Sequence, residues 1–419
     1  MYRLQFKLSL NGFRMIMKKI KIYMTLLALA VSASAAIAED DIKGNMFNPV
    51  NTGVTTLSIA PDARGSSMGN LGAATDPDMN SQYWNPSKYA FGWSTGGLSL
   101  SYTPWLRKIV NDIFLANLAG YYKIGSSDNQ AISASFRYFS LGEVTTGYTE
   151  GSENVNAQTI HPYEMAIDAG YSRKLSSKFS MGVVLRYILS DLSFQDTQTG
   201  EQNHAASAFA VDLAGYFTSF PMIGRNECQF SWGFNISNVG TKVSYDGGTN
   251  NYFLPTNLRL GANFMFPLAD YHTLALGLDL NKLLVPTMPR LDQFDNDVDA
   301  YNQAWDKWNN MSPITGIFKS FSDAPGGAKE ELQEIGVSFG AEYVYNQQFF
   351  ARLGYNYEHP NKGGRSYFGF GAGFSLNVVQ LDASYMLATA QSSPLDQTLR
   401  FTLTFDMDGL RDLMGKRRK

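Results

Sequence analysis

Leu274-Ala275-Leu276-Gly277-Leu278-Asp279-Leu280-Asn281 sets leucine at every second position, with small or polar residues between. A helix would scatter those leucines around its circumference. An extended strand puts all four on one face and Asp279 with Asn281 on the other. The same period recurs on both sides of this stretch. Ile132, Ala134, Phe136 and Tyr138 oppose Ser133, Ser135 and Arg137. Met165, Ile167, Ala169 and Tyr171 oppose Asp168 and Ser172, and the alternate residues from Phe179 to Leu189 oppose Arg186. Comparable segments cover 206–218, 228–238, 257–267, 334–344, 348–358, 366–376, 378–388 and 397–405, with less regular ones at 97–103 and 113–123. That makes about fourteen strands of roughly ten residues, an even number, as bacterial membrane barrels have.

The connections carry a second period. Tight links such as 125–129, 174–178, 267–271 and 346–347 alternate with the long ones 141–163, 190–205, 239–256 and 285–333. Short turns on the periplasmic side and long loops outside are the outer-membrane arrangement, and a soluble sandwich has no cause to keep that phase. Composition agrees: charged residues are 17% of 419 and aromatic residues 14%, with a mean hydropathy of −0.20. The expected fold is an all-β transmembrane antiparallel β-barrel over residues 96–405. Lone Asp168, Arg186, Asp279, Arg352 and Arg400 on its strands are then tolerable only if they face the lumen.

The N-terminus reads as a targeting signal, residues 1–38. Lys18, Lys19 and Lys21 precede the apolar Met24–Val31, and Ala36-Ile37-Ala38 is a small-x-small cleavage site. Met17 suits a start codon for such a signal. Removing its six basic residues from the total of 34 leaves 28 against 37 acidic, a net charge of −9. That excess argues against nucleic acid as a partner. The single cysteine, Cys228, excludes an internal disulfide. Residues 406–419 form a basic-ended tail expected in the periplasm.

Between signal and barrel, residues 39–95 hold a different kind of sequence. Ala63 to Phe91 is too rich in Gly and Pro for a strand, yet Leu71, Tyr83, Trp84, Tyr89 and Phe91 need burial. Irregular backbone at membrane depth is tolerated only inside protein. We therefore expect an N-terminal periplasmic and plug segment, a lumen plug or hatch built on Arg64, Met68, Gly69, Tyr83, Trp84, Asn85 and Pro86. This block resembles the start of the FadL-like outer-membrane proteins of the PorV/PorQ group. Ala63, Arg64, Met68 and Gly69, then Tyr83, Trp84, Asn85, Pro86 and Ala90, match its pattern, and Phe253–Gly261 is similar to a second block of the group.

Other motifs fit the barrel better than chemistry. Gly336-Val337-Ser338-Phe339-Gly340 has the hydrolase-elbow spacing but sits in an alternating strand, not a strand-to-helix turn. Gly369, Gly371 and Gly373 alternate with phenylalanines, as lumen-facing residues that leave room for a hatch. Asp295, Asp297 and Asp299 have calcium-loop spacing, but Ala300 replaces the turn glycine and Asp306 the final glutamate. The four histidines are scattered. No catalytic residue, metal or cofactor is expected.

The resemblance implies a component of the type IX secretion system in the Bacteroidota outer membrane, and no enzyme. Such a barrel binds the C-terminal signal domain of secreted cargo proteins leaving the translocon barrel, and shuttles them to the attachment complex with its sortase-like protein. A channel for hydrophobic small molecules is the alternative. Two loop features are candidate contacts. Tyr301, Trp305 and Trp308 share a helical stripe in the longest loop, either self-packing or a cargo-binding surface. Phe253 and Leu254 either fold onto the barrel rim or protrude as anchors for the translocon.

Overall fold

The structure, a computed structural model, describes residues 47–105, 112–125, 128–150, 153–195, 202–389 and 396–413. The signal segment, its cleavage site and the basic end of the tail lie outside the described residues. The chain divides between Asn48 and Pro49 into two compact units, of which the second, Pro49–Lys419, contains the barrel.

Fourteen strands close into one antiparallel barrel with neighbours in chain order. They are β1 Gly96–Pro104, β2 Ile113–Ile124, β3 Gln130–Leu141, β4 Tyr163–Lys174, β5 Phe179–Asp191, β6 Ala206–Ser219, β7 Gln229–Gly240, β8 Asn257–Ala269, β9 His272–Leu283, β10 Gly336–Tyr345, β11 Phe349–Tyr357, β12 Tyr367–Leu376, β13 Val379–Ala388 and β14 Leu399–Asp406. The seam joins β1 to β14, from Gly97 opposite Asp406 to Tyr102 opposite Phe401. Closure pairs every strand on both sides, the condition for an extended backbone in hydrocarbon.

Alternation sorts the side chains as the sequence predicts. Leu98, Leu100, Phe136, Ile167, Leu185, Phe209, Leu278, Leu280, Phe368 and Phe370 lie on the outer surface, exposed to what in a membrane is lipid. Ser99, Ser101, Asp168, Arg186, Asp279, Arg352 and Arg400 turn inward and are buried. Several of the inward charges are not lone. The cross-strand partners Asp168 and Arg186 form an ion pair at 2.7 Å, and Asp212 of β6 joins at 3.0 Å.

The long connections have structure of their own. The one after β3 folds as a hairpin, Val144–Glu150 against Glu153–Ile160. The longest loop carries three α-helices, Val298–Asn309, Pro313–Lys319 and Ala328–Gln333, after a 3-10 turn, Leu291–Phe294. The first and third are legible from sequence; the second is not. Asp297 caps the first, its Oδ1 accepting from the Asp299 and Ala300 amides at 3.0 and 3.1 Å. Helix capping thus accounts for the central acid of the calcium-like spacing. After β14 the chain continues into a helix, Met407–Leu413.

Candidate functional site

Residues 49–95 fill the lumen. Their first part lies at the long-loop end, where the Gly53 amide donates to the Phe253 carbonyl at 2.8 Å. Arg137 of β3 donates to the Thr56 and Leu57 carbonyls at 3.1 and 3.2 Å. The segment then descends to β1 at the short-turn end. Residues 54–91 of it pack inside the barrel as the plug.

Four short helical pieces lie in this segment: a 3-10 turn Thr55–Ser58, α1 Ala63–Ser67, α2 Ser81–Trp84 and a second 3-10 turn Pro86–Phe91. Asp62 caps α1, accepting from the Gly65 amide at 2.8 Å through one oxygen and from Trp84 Nε1 at 2.6 Å through the other. Trp84, 1% exposed, lies between Gly65 and Gly72, where an added Cβ would fall 2.2 and 2.4 Å from its ring. Its tightest packing is therefore within the plug itself. Asn85 binds the plug together and to the wall, donating to the carbonyls of Ala73 at 2.8 Å and Gly215 of β6 at 3.0 Å. Pro86 opens the following turn, and Tyr89 closes it by accepting from the Gln82 amide at 2.8 Å and donating to the Met79 carbonyl at 2.9 Å.

The barrel wall is shaped to receive α1. A Cβ at Gly340 or Gly354 would meet Met68 backbone at 2.6 and 2.0 Å, and one at Gly369 the Ser66 and Ser67 carbonyls at 2.7 Å. Gly369 and Gly371, two of the glycines that alternate with phenylalanines, are therefore part of the seat of the plug, while Gly373 faces Asp382 and Arg352 of the wall. Gly69 itself has φ +72 and presses against Tyr355 backbone, a conformation and a contact that only glycine takes at low cost.

Charge pins the plug in that seat. Arg64 holds Glu342 of β10 in a fork, Nε to Oε2 at 3.1 Å and Nη2 to Oε1 at 2.8 Å, and holds Asp78 at 2.8 Å. Glu342 also accepts from Arg352 Nε at 2.6 Å, and Arg352 Nη1 reaches Asp382 of β13 at 2.5 Å. The result is an alternating chain, Asp78–Arg64–Glu342–Arg352–Asp382, from plug to wall. Such bidentate, desolvated pairs fix position, and removing one member leaves a buried charge unpaired.

At the outer rim both loop features are packed against each other. Phe253 and Leu254 do not protrude; they are 4% and 2% exposed. Phe253 packs edge-on against Trp308, ring centroids 5.3 Å apart. Trp308 is 2% exposed, donating from Nε1 to the Pro286 carbonyl at 3.0 Å, while Trp305 and Tyr301 are half-buried beside it. Lys242 draws the cluster together: its ammonium lies 3.9 Å from the Phe253 ring centre and donates to the Trp308 and Asn309 carbonyls, each at 3.1 Å. The two candidate contacts are one packed core beneath the longest loop. The physical reason is that two large apolar groups a loop apart lose less by covering each other than by facing water. The exposed apolar residues of this loop include Ile314, Phe318, Phe321 and Leu332. Ile314 and Phe318 are one turn apart on Pro313–Lys319, a spacing that could have flagged them. Phe321 and Leu332, with Leu258, Leu260 and Leu280 of the barrel exterior, line a groove of about 580 Å³.

Ser338 lies mid-strand, its Oγ donating to Asn356 Oδ1 at 3.1 Å, without the turn an elbow requires. Among the described residues no group of three histidine, cysteine or acidic side chains is gathered for a metal.

A closed fourteen-stranded barrel with a pinned lumen plug and structured outer loops defines the class: an outer-membrane β-barrel. The family model described as Type IX secretion system protein PorV matches residues 43–290, and the chain belongs to that family. It is accordingly an outer-membrane component of type IX secretion, and family and fold point to a secretion barrel rather than to an enzyme. Among curated proteins none matches. Solved structures that resemble it are FadL-like barrels. The Ralstonia pickettii toluene transporter TbuX shows 12% identity, TM-score 0.47, over 84% of this chain and 100% of that one. The P. putida toluene transporter TodX shows 9%, TM-score 0.46, over 88% and 99%. A Pseudomonas aeruginosa FadL homologue shows 10%, TM-score 0.42, over 86% and 99%. Likeness at these scores carries no functional weight.

Proposed function

We propose that this barrel binds the C-terminal signal domain of secreted proteins as they leave the type IX translocon barrel, and passes them to the surface attachment complex with its sortase-like protein, in the outer membrane of a Bacteroidota cell. The observation that carries the reading is the apolar face on the longest loop. Ile314, Phe318 and Leu332 stand out from the barrel, Phe318 at 75% exposure, beside a groove lined by Leu332, Ile335 and the upper leucines of β8 and β9. Exposed aromatic and aliphatic anchors next to a groove suit the capture of another folded surface. The pinned plug supports the same reading: a lumen closed by a buried ion chain is a poor conduit for a polypeptide, which leaves the outer rim as the working surface. In this account Tyr301, Trp305 and Trp308 act with Phe253 and Leu254 as the support of the docking loop. Trp305 and Tyr301 add their half-exposed edges to it.

The test is Phe318→Ala with Leu332→Ala in the native host. Cargo recovery with the purified barrel and surface display should both fall at least tenfold, while heat-modifiable migration of the barrel is unchanged. Normal display and unchanged cargo recovery would remove this face from the mechanism.

A further inference from the structure

The hairpin after β3 stands apart from the barrel sheet. Val144–Glu150 and Glu153–Ile160 pair with each other as a two-stranded sheet, separate from the closed barrel. The break lies at the rim. Leu141 ends β3 opposite Ile113, the first residue of β2, and Gly142 follows with φ +82, a conformation that favours glycine. Asp112 holds that corner: its carboxylate accepts from the Glu143 amide at 2.6 Å, and its carbonyl from the Ser140 hydroxyl at 3.1 Å. On the return side β4 begins at Tyr163, opposite Asp191, the last residue of β5. Neither neighbouring barrel strand therefore extends beside the hairpin, and among the described residues both of its edges are open.

A sheet of two strands is marginal in water, and each open edge is a row of unpaired amide and carbonyl groups. Proteins guard such edges with proline, lysine or a bulge. The two arms differ in this respect. The register shifts between Thr146 and Tyr148, so that Asn156 and Ala157 of the second arm oppose Gly147, and the bulge belongs to that arm. The first arm, Val144-Thr145-Thr146-Gly147-Tyr148-Thr149-Glu150, has no bulge of its own, no proline and no lysine. Its valine, threonines and tyrosine favour extended backbone, and its 7 residues are an ordinary strand length. The first arm is thus an unguarded template for one more strand.

We propose that this arm holds the cargo by strand addition: an extended strand of the C-terminal signal domain lies along Val144–Glu150 and makes the hairpin a three-stranded sheet. The inference rests on the cargo-binding reading above and names its mode. Main-chain hydrogen bonds carry strand addition and make little demand on sequence, which suits a receptor for more than one secreted protein. Placement supports it. The hairpin joins β3 to β4 and the longest loop joins β9 to β10, six strands further round a ring of fourteen and so almost opposite across the mouth. A domain lying over the mouth meets the apolar face of the loop on one side and the open edge on the other. The loop supplies apolar contact through Phe318 and Leu332; the edge fixes orientation.

A register scan tests it. The full chain, purified in a non-ionic detergent, carries Cys228→Ser with one of Val144→Cys, Thr146→Cys or Tyr148→Cys. It is mixed with one whole secreted protein of the same cell that bears single cysteines along an edge strand of its C-terminal domain. Under mild oxidation each barrel cysteine should cross-link to one cargo position. That position should move by two residues, always in the same direction, for each step of two along the arm. Replacing residues 144–160 by a short Gly-Ser link should lower capture at least tenfold while heat-modifiable migration is unchanged. Phe318→Ala with Leu332→Ala should weaken capture and leave the register as it was. Capture without cross-links, one cargo position reached from all three cysteines, cross-links only between two barrels, or full capture without the hairpin would overturn strand addition and leave the cargo reading standing. No capture by the unaltered chain would overturn both.

Discussion

Arg352 and Arg400 both point into the lumen from barrel strands and both are almost fully buried, yet one lies between two carboxylates and the other beside a sulfur. The first belongs to the seat of the plug, where an unbroken run of opposite charges lies within hydrogen-bond distance. The second belongs to the outer vestibule, the lumen above the plug, where Arg137, Arg259 and Arg400 share aromatic faces and main-chain carbonyls. The same residue type is a rivet in one region and an open valence in the other. Burial alone therefore does not separate structural from available charge; the partner does.

The largest effect is expected at the seat. Glu342→Gln leaves Arg64 and Arg352 facing a neutral amide, and losing one partner of a buried pair costs about 3–5 kcal/mol. Trp84→Ala empties the space between Gly65 and Gly72 and should cost a similar amount, about 3–5 kcal/mol. Both should lower the temperature at which the folded band converts to the slow-migrating form on gels. A midpoint unchanged in either variant would mean that the plug does not contribute to barrel stability. A cysteine at position 84 should also resist bulky aqueous thiol reagents until the plug is displaced.

The next effect is smaller and opposite in kind. Arg400→Met removes a charge that has no carboxylate partner, so barrel stability should stay within about 1 kcal/mol or rise. Arg352→Met strips Glu342 and Asp382 of their shared cation and should cost about 3 kcal/mol or more by the same principle. Equal losses in the two would erase the distinction between the regions.

How much of this is legible in the sequence depends on range. Strand count, lumen faces and the plug's wedge residues can be read because period two and a glycine-rich aromatic block are local signals. Glu342 opposite Arg352 and Asp168 opposite Arg186 are register facts, and register is not written in either strand alone. The Phe253–Trp308 contact joins two loops, so each aromatic taken singly fits a free anchor as well as a packed one. Arg400 can be assigned to the lumen; that it has no carboxylate there follows only once the strands are arranged around it.

The smallest effect lies in the longest loop, where a carboxylate rather than a guanidinium is left short of partners. Asp323 accepts from the Thr287 amide at 2.8 Å through Oδ2, while its other oxygen has no partner. Burial, then the nearby charges of Glu331 and Glu334, push its carboxyl up to about 6. An acid whose folded pKa is raised above its unfolded value, near 3.9, stabilises the fold fully below that unfolded value. The contribution is lost as pH rises through about 6. Taking the protein from pH 7.5 to 5 should therefore tighten the loop by about 1 kcal/mol or less, since Asp323 is only partly shielded from solvent. Lys282 pairs with Glu331 and Glu334, and Lys362 with Glu330 and Glu334. Asp323→Asn keeps an acceptor for Thr287 and cannot ionise. It should show the protected state at both pH values. The measurement is hydrogen exchange of residues 285–333: greater protection at pH 5 after correction for intrinsic exchange, with the pH difference abolished in Asp323→Asn. The same pH dependence in the variant would assign it to groups other than Asp323.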